Sequence, residues 1–194
     1  MTSLVVFDIS LSLDGYMRGP NPNRDNVLGD GGDRLHAWAS SQATEGDRKL
    51  LADSIRGAGA VICGRRTYDD ALPGWRADGP TGAARLPVFV VSHSMPTNVV
   101  EKGVYRFEHG IEAALQAART AAAGKDICVM GGADVGRQFL HAKLVDELSL
   151  HIVPVLLGGG TRMFGDGEPD LQTLKVKSIV NSPGATHIRY QFDR

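Results

Sequence analysis

Val129-Met130-Gly131-Gly132-Ala133-Asp134-Val135 decides the reading of this chain. The apolar run from Asp126 to Met130 reads as a buried strand. Two glycines break it, and Val135, Phe139 and Leu140 then recur at helical spacing to about Lys143. A strand that turns through Gly-Gly into a helix leaves its first helical amides open to an anion such as a pyrophosphate. The same grammar appears upstream. Val61-Ile62-Cys63-Gly64-Arg65-Arg66-Thr67-Tyr68 is a strand end with a glycine, two guanidinium groups and a hydroxyl at a helix start. Val90-Val91-Ser92-His93-Ser94 is a strand running into hydroxyls suited to a ribose or its phosphate. In open α/β sheets ligands gather at the carboxyl ends of strands, and three such ends in one chain point to one ligand-binding rim.

Outward from these segments, Leu4 to Leu13 reads as a buried strand that ends at the turn Asp14-Gly15. Residues 18–33, rich in Gly, Pro and Asn, form a long loop of the kind that is usually functional. Leu35 and Trp38 mark one side of a short amphipathic helix. Thr44-Glu45-Gly46-Asp47 has the capping-box pattern ahead of Leu50, Leu51 and Ile55, and Gly57 and Gly59 stop that helix. Ala60 to Cys63 is a strand, Pro73-Gly74 ends the helix that follows it, and Pro87 to Val91 is a strand again. Val104 to Phe107 is a weaker strand, and Ile111, Ala114, Leu115 and Ala118 line a helix to about Ala123. After Leu148 the pattern alternates, and the turn Asn181-Ser182-Pro183-Gly184 joins two antiparallel strands. Crossovers first and a hairpin last predict an α/β fold: a mixed sheet, helices on both faces, in one domain over residues 1–194.

Composition narrows the function. Of 194 residues, 42 % are hydrophobic and 22 % charged, which excludes a disordered chain. A net charge of −1 offers no positive field for a nucleic-acid backbone or an anionic membrane, so neither is expected as a partner. The N-terminus lacks a signal-peptide pattern, and Cys63 and Cys128 fit a reducing compartment, so a cytoplasmic protein is expected. Gly131-Gly132 with Gly136 is not the G-x-G-x-x-G spacing, and no Walker lysine motif is present. The six histidines show no close ligand pair and no C-x-x-C exists, so no metal site is expected.

Together these residues resemble a known family. Ser12-Leu13-Asp14-Gly15-Tyr16, Gly64 to Tyr68, Val91-Ser92-His93, and Met130-Gly131-Gly132-Ala133 through Leu140 follow the order seen in dihydrofolate reductase-like proteins. The stretch from Leu144 through Pro154-Val155-Leu156-Leu157-Gly158-Gly159-Gly160 to Phe164 resembles the riboflavin-biosynthesis reductase branch, the RibD C-terminal type. The resemblance implies a three-layer, mostly parallel sheet with an antiparallel C-terminal hairpin, a homodimer, and NADPH as cofactor.

By the same resemblance, Gly64, Arg65, Arg66 and Thr67 contact the cofactor's phosphates, Ser92 and His93 lie near the adenosine 2′-phosphate, and Gly131, Gly132, Ala133, Asp134 and Val135 cradle the pyrophosphate. Ser10 through Asp14 to Met17 line the nicotinamide and a small-molecule substrate, with Asp14 as the polar group beside the reacting carbon and Trp38 walling the pocket. Asp134 departs from the pattern, because a carboxylate there repels a 2′-phosphate. Folate reduction needs a buried acid on the first helix, for which only Asp33 and Asp47 are candidates. The reading is an NADPH-dependent reductase acting on a small heterocyclic or glycosyl substrate. The alternative is a non-catalytic NADP-binding module with the same fold.

Overall fold

The computed structural model describes residues 3–40, 42–164 and 172–193. Its main sheet has eight strands in the order β5-β4-β3-β6-β1-β7-β10-β9. These are β1 (Val5–Ser12), β3 (Ala58–Gly64), β4 (Val88–Val91), β5 (Tyr105–Glu108), β6 (Asp126–Met130), β7 (Glu147–Val153), β9 (Leu174–Asn181) and β10 (Thr186–Phe192). A separate antiparallel pair joins β2 (Tyr16–Arg18) to β8 (Thr161–Arg162). The helices are α1 (Glu45–Gly57), α2 (Arg65–Trp75), α3 (Ile111–Ala122) and α4 (Ala133–His141). The expected mixed sheet with its antiparallel hairpin is present.

The chain folds into two compact units, one of Met1–Val6 with Ser54–Leu144, the other of Phe7–Asp53 with Val145–Arg194. No composition shift marks the crossings, because two of the three fall inside β1 and inside α1, where the sequence must stay regular.

In the first unit, β3 pairs in parallel with both β4 and β6, and β4 with β5. Every residue of β3 is buried, as a strand covered on both faces requires. Val61, Cys63, Val88 and Val90 pack with Tyr68, Leu72 and Trp75 of α2, while α3 lies on β3 and β4 through the buried Ala114, Leu115 and Ala118. Pro73 does not end α2. The helix runs to Trp75 and closes with the amide of Arg76 donating to Leu72 O (2.9 Å), because losing one amide near a helix end costs less than giving up the packing of Leu72 and Trp75. Burial pushes the Cys63 thiol up to about 12, which keeps it protonated and inert.

In the second unit, β10 pairs antiparallel with β7 and β9. Gly32–Ala39 winds as a 3-10 helix, not an α-helix. With three residues per turn, Leu35 and Trp38 fall on one line and pack against Val153 and Ala185. The long loop closes on itself: the Gly19 amide donates to Leu28 O (2.8 Å) and that of Asp30 to Pro20 O (2.8 Å). Strand β9 is exposed along its whole length, including Val176, Ile179 and Val180. No helix among the described residues is long and apolar enough to cross a membrane.

Candidate functional site

Three neighbouring parallel strands of the first unit, β4, β3 and β6, end in the segments singled out by sequence. Gly64 is the last residue of β3 and the N-cap of α2, and Gly132 is the N-cap of α4. Neither helix start carries a side-chain cap, so its leading amides are not consumed by a cap. At Gly64 a Cβ would come within 3.0 Å of Val135 Cγ2, so glycine lets β3 and α4 close up. Gly131 has φ 77°, and a Cβ there would sit 2.4 Å from Thr67 Cγ2. The turn after β6 therefore needs glycine for both backbone and space.

Thr67 ties this turn to α2: its Oγ1 accepts from the Gly132 amide at 2.8 Å. That amide was expected to face a pyrophosphate and is instead used inside the protein. We expect Gly131→Ala to destabilise the protein by about 2 kcal/mol, from the left-handed backbone alone, with more if Thr67 cannot shift. Urea unfolding measures it, and an unchanged midpoint would mean that the turn relaxes freely.

Arg65 is held from two sides. Its Nε donates to both carboxylate oxygens of Asp69 (2.8 and 3.0 Å), while Nη1 reaches Ser94 O at 3.2 Å and Ser92 Oγ at 3.4 Å. Ser92 is buried and donates to Ser94 O at 2.6 Å, so it braces Arg65 and shapes the end of β4 rather than presenting a free hydroxyl. Asp69 was not anticipated, although its spacing of four from Arg65 on a helix was a readable signal. The Arg66 side chain is exposed. His93 is exposed, its ring edge-on to His109 at 5.5 Å. Ala133 and Val135 are buried, and Asp134 is exposed in the first turn of α4.

The second unit carries the residues expected around a substrate. The Asp14 carboxylate accepts from Ser12 Oγ (2.6 Å), the Leu157 amide (3.1 Å) and the Gly158 amide (2.7 Å). The Ser12 hydroxyl and those two amides hold its pKa down to about 2. Asp14 is thus a carboxylate that fastens the 155–158 segment to the end of β1, and it has no proton to give near neutrality. Arg162 donates to Asp14 O (3.1 Å) and lies 4.4 Å over the Tyr16 ring. Met17 is half-buried in β2.

Ser10 and Trp38, expected at the substrate, face the packed interior at 7 % and 4 % exposure. The indole Nε1 donates to Ser10 Oγ at 3.0 Å, satisfying both. Trp38 also packs against two histidines that sequence reasoning left unpaired, tilted to His151 at 4.2 Å and edge-on to His187 at 4.7 Å between ring centroids. Of the two candidate acids, Asp33 is exposed, while Asp47 is buried, caps α1 and meets His187 Nε2 at 2.9 Å.

The family model described as the RibD C-terminal domain matches residues 3–188. The chain belongs to that family. Two Bacillus subtilis (strain 168) proteins are similar to this RibD C-terminal domain over nearly their full length. YyaP is 24 % identical, covering 97 % of this chain and 95 % of its own, and YwjB is 23 % identical, covering 98 % of each. A putative riboflavin biosynthesis protein from Shewanella sp. PV-4 superposes with a TM-score of 0.71 at 26 % identity, covering 99 % of both chains. A pyrimidine reductase-like protein from Corynebacterium diphtheriae shares the fold at a TM-score of 0.64 and 17 % identity, covering all of this chain and 92 % of its own. A bifunctional deaminase and 5-amino-6-(5-phosphoribosylamino)uracil reductase from Thermotoga maritima does so at 0.65 and 12 % identity. It is matched by 99 % of this chain over 57 % of its own length. The fold is therefore the dihydrofolate reductase-like α/β fold of the RibD C-terminal domains.

Proposed function

We propose that this RibD C-terminal domain is a reductase that takes NADPH and passes a hydride to a small heterocyclic or glycosyl substrate. The observation that carries the reading is the row of strand ends β4, β3 and β6, where Ser92, Gly64-Arg65 and Gly131-Gly132 come together beside two helix starts without side-chain caps. These residues fit a dinucleotide phosphate group. Glycines clear the approach, helix amides favour negative charge, and Arg65 is fixed in position before a ligand arrives. When bound, NADPH would supply the hydride for the electrophilic carbon of a carbonyl or imine whose heteroatom takes a proton. That proton comes from water in this reading, since Asp14 is held ionised. The protein's part is positional. A homodimer and a cytoplasmic location belong to the same reading, the former supported by the exposed apolar residues of β9.

Calorimetric titration with NADPH, followed by absorbance of the dihydronicotinamide on adding carbonyl and imine substrates, tests the proposal. Saturable binding and substrate-dependent oxidation are expected. No binding at about 1 mM cofactor, a threshold near −4 kcal/mol, overturns it. Binding without oxidation by any substrate favours the non-catalytic module.

A further inference from the structure

The second unit contains a line of four titratable groups, three of them buried and the fourth, Asp8, half-buried at its end. Asp8 on β1 meets His151 Nε2 through its two oxygens at 3.3 and 3.2 Å. His151 Nδ1 lies 2.8 Å from His187 Nδ1, and His187 Nε2 lies 2.9 Å from Asp47 Oδ1 at the start of α1. The two histidines face each other across the β7–β10 pairing and are 2 % and 4 % exposed. The groups follow one another in a line and do not converge on a common point as metal ligands do. Among the described residues no His, Cys, Asp or Glu cluster is arranged to hold a metal ion.

With both carboxylates ionised and each accepting from the imidazole it faces, proton counting gives one arrangement. An ionised carboxylate only accepts, so each Nε2 facing one must carry a proton. Two Nδ1 atoms at 2.8 Å form a hydrogen bond only if one of them is protonated. The four groups therefore hold three protons, and the imidazole pair carries one positive charge between two carboxylates. The Trp38 ring packs against both imidazoles, tilted to His151 and edge-on to His187. With one proton fewer, two lone pairs oppose each other. With one more, two buried imidazolium rings do. We propose that His151 and His187 share a single proton that locks the second unit, so that its stability falls when this proton is lost in alkali and when a further one enters in acid.

The surroundings agree. Burial, and then repulsion from His151, hold the His187 imidazole below its ordinary value against the pull of Asp47, so a second charge is resisted. Stability from that resistance is full above the ordinary imidazole value near 6.5 and is lost as pH falls below it. Burial raises Asp8 and Asp47, but hydrogen bonds to both, and for Asp8 the His151 charge as well, outweigh it and hold both carboxyls low. They add a further loss at still lower pH. It follows from the proposal that the folded pair keeps a proton that unfolded imidazoles release above about 6.5, a contribution lost as pH rises further. The other groups facing the line are Ser149 and Arg189 beside Asp8, Thr44 and Ser182 beside Asp47, and His36, whose charge opposes that of His151.

The test uses the full chain carrying Trp75→Phe, which leaves Trp38 as the only tryptophan of two. Urea unfolding and Trp38 emission are followed from about pH 5 to about pH 9, and imidazole 15N spectra are recorded near neutrality. A stability maximum is expected, with the unfolding constant changing by up to about tenfold per pH unit on either side, the slope of one proton. Trp38 emission should rise as the quenching imidazolium is lost, and the spectra should show three protons on the four ring nitrogens. His187→Gln should flatten both limbs. Spectra showing two ring protons in the folded protein overturn the proposal, as does a His187→Gln profile that superimposes on the parent. If His187→Gln does not fold, the spectra of the parent decide alone.

Discussion

Replacing Asp47 with alanine is expected to lower the unfolding free energy by about 3–5 kcal/mol, the range for removing one partner from a buried charged pair. Few residues in this chain do so much with one carboxylate. Oδ2 accepts from the Thr44 amide at 2.8 Å and from Thr44 Oγ1 at 2.7 Å, while the Asp47 amide donates back to Thr44 Oγ1 at 3.2 Å. This reciprocal cap starts α1, and loss of a cap alone costs about 1 kcal/mol. Oδ1 faces His187 Nε2, and with both groups buried the deletion leaves an imidazole donor with neither partner nor water. Asp47→Asn keeps the volume and one acceptor and should lose roughly half as much. Urea unfolding at neutral pH measures both. A loss below about 1 kcal/mol for the alanine variant would mean that water replaces the carboxylate and that the His187 contact contributes little.

Replacing Arg65 with alanine is expected to weaken NADPH binding by about 10- to 100-fold, about 1.4–2.7 kcal/mol, and NADH binding by less. The guanidinium is held by Asp69, Ser92 and Ser94 before any ligand arrives, so little ordering cost offsets its charge-assisted hydrogen bonds to phosphate. Asp69 neutralises part of its charge, which keeps the expected loss below that of an unpaired buried arginine. Adding Arg66→Ala, an exposed cation, should widen the gap between the two cofactors by a smaller step. Stability should hardly change, because the Arg65–Asp69 pair is a partly exposed helical ion pair. Titration calorimetry with both cofactors measures this. Equal losses for NADPH and NADH would mean that Arg65 meets the pyrophosphate and not the 2′-phosphate, and no loss for either would place the phosphates elsewhere.

Much of the fold was legible because its signals are local. The run Asp126–Met130 before two glycines became β6 and α4, and Ile111 with Ala114, Leu115 and Ala118 became the buried face of α3. The small β2–β8 pair was not seen, since strands of three and two residues carry no periodicity of their own. At the candidate site the positions were readable and the duties were not. Thr67 and Ser92 were expected to offer hydroxyls outward. Thr67 accepts the Gly132 amide and Ser92 supports Arg65, because each lies next to a partner 65 or 27 residues away.

By itself the sequence determined the alternation of strands and helices, the glycines at the ends of β3 and β6, the cap of α1 and the family. Each follows from residue type and spacing over a few neighbours. Only the tertiary structure decided that Asp14 clasps the 155–158 segment, that Trp38 faces inward, and that Asp8, His151, His187 and Asp47 form one line. Hydrogen bonds and shared protons depend on distances of about 3 Å between groups far apart in the chain, and a sequence pattern carries no such distances.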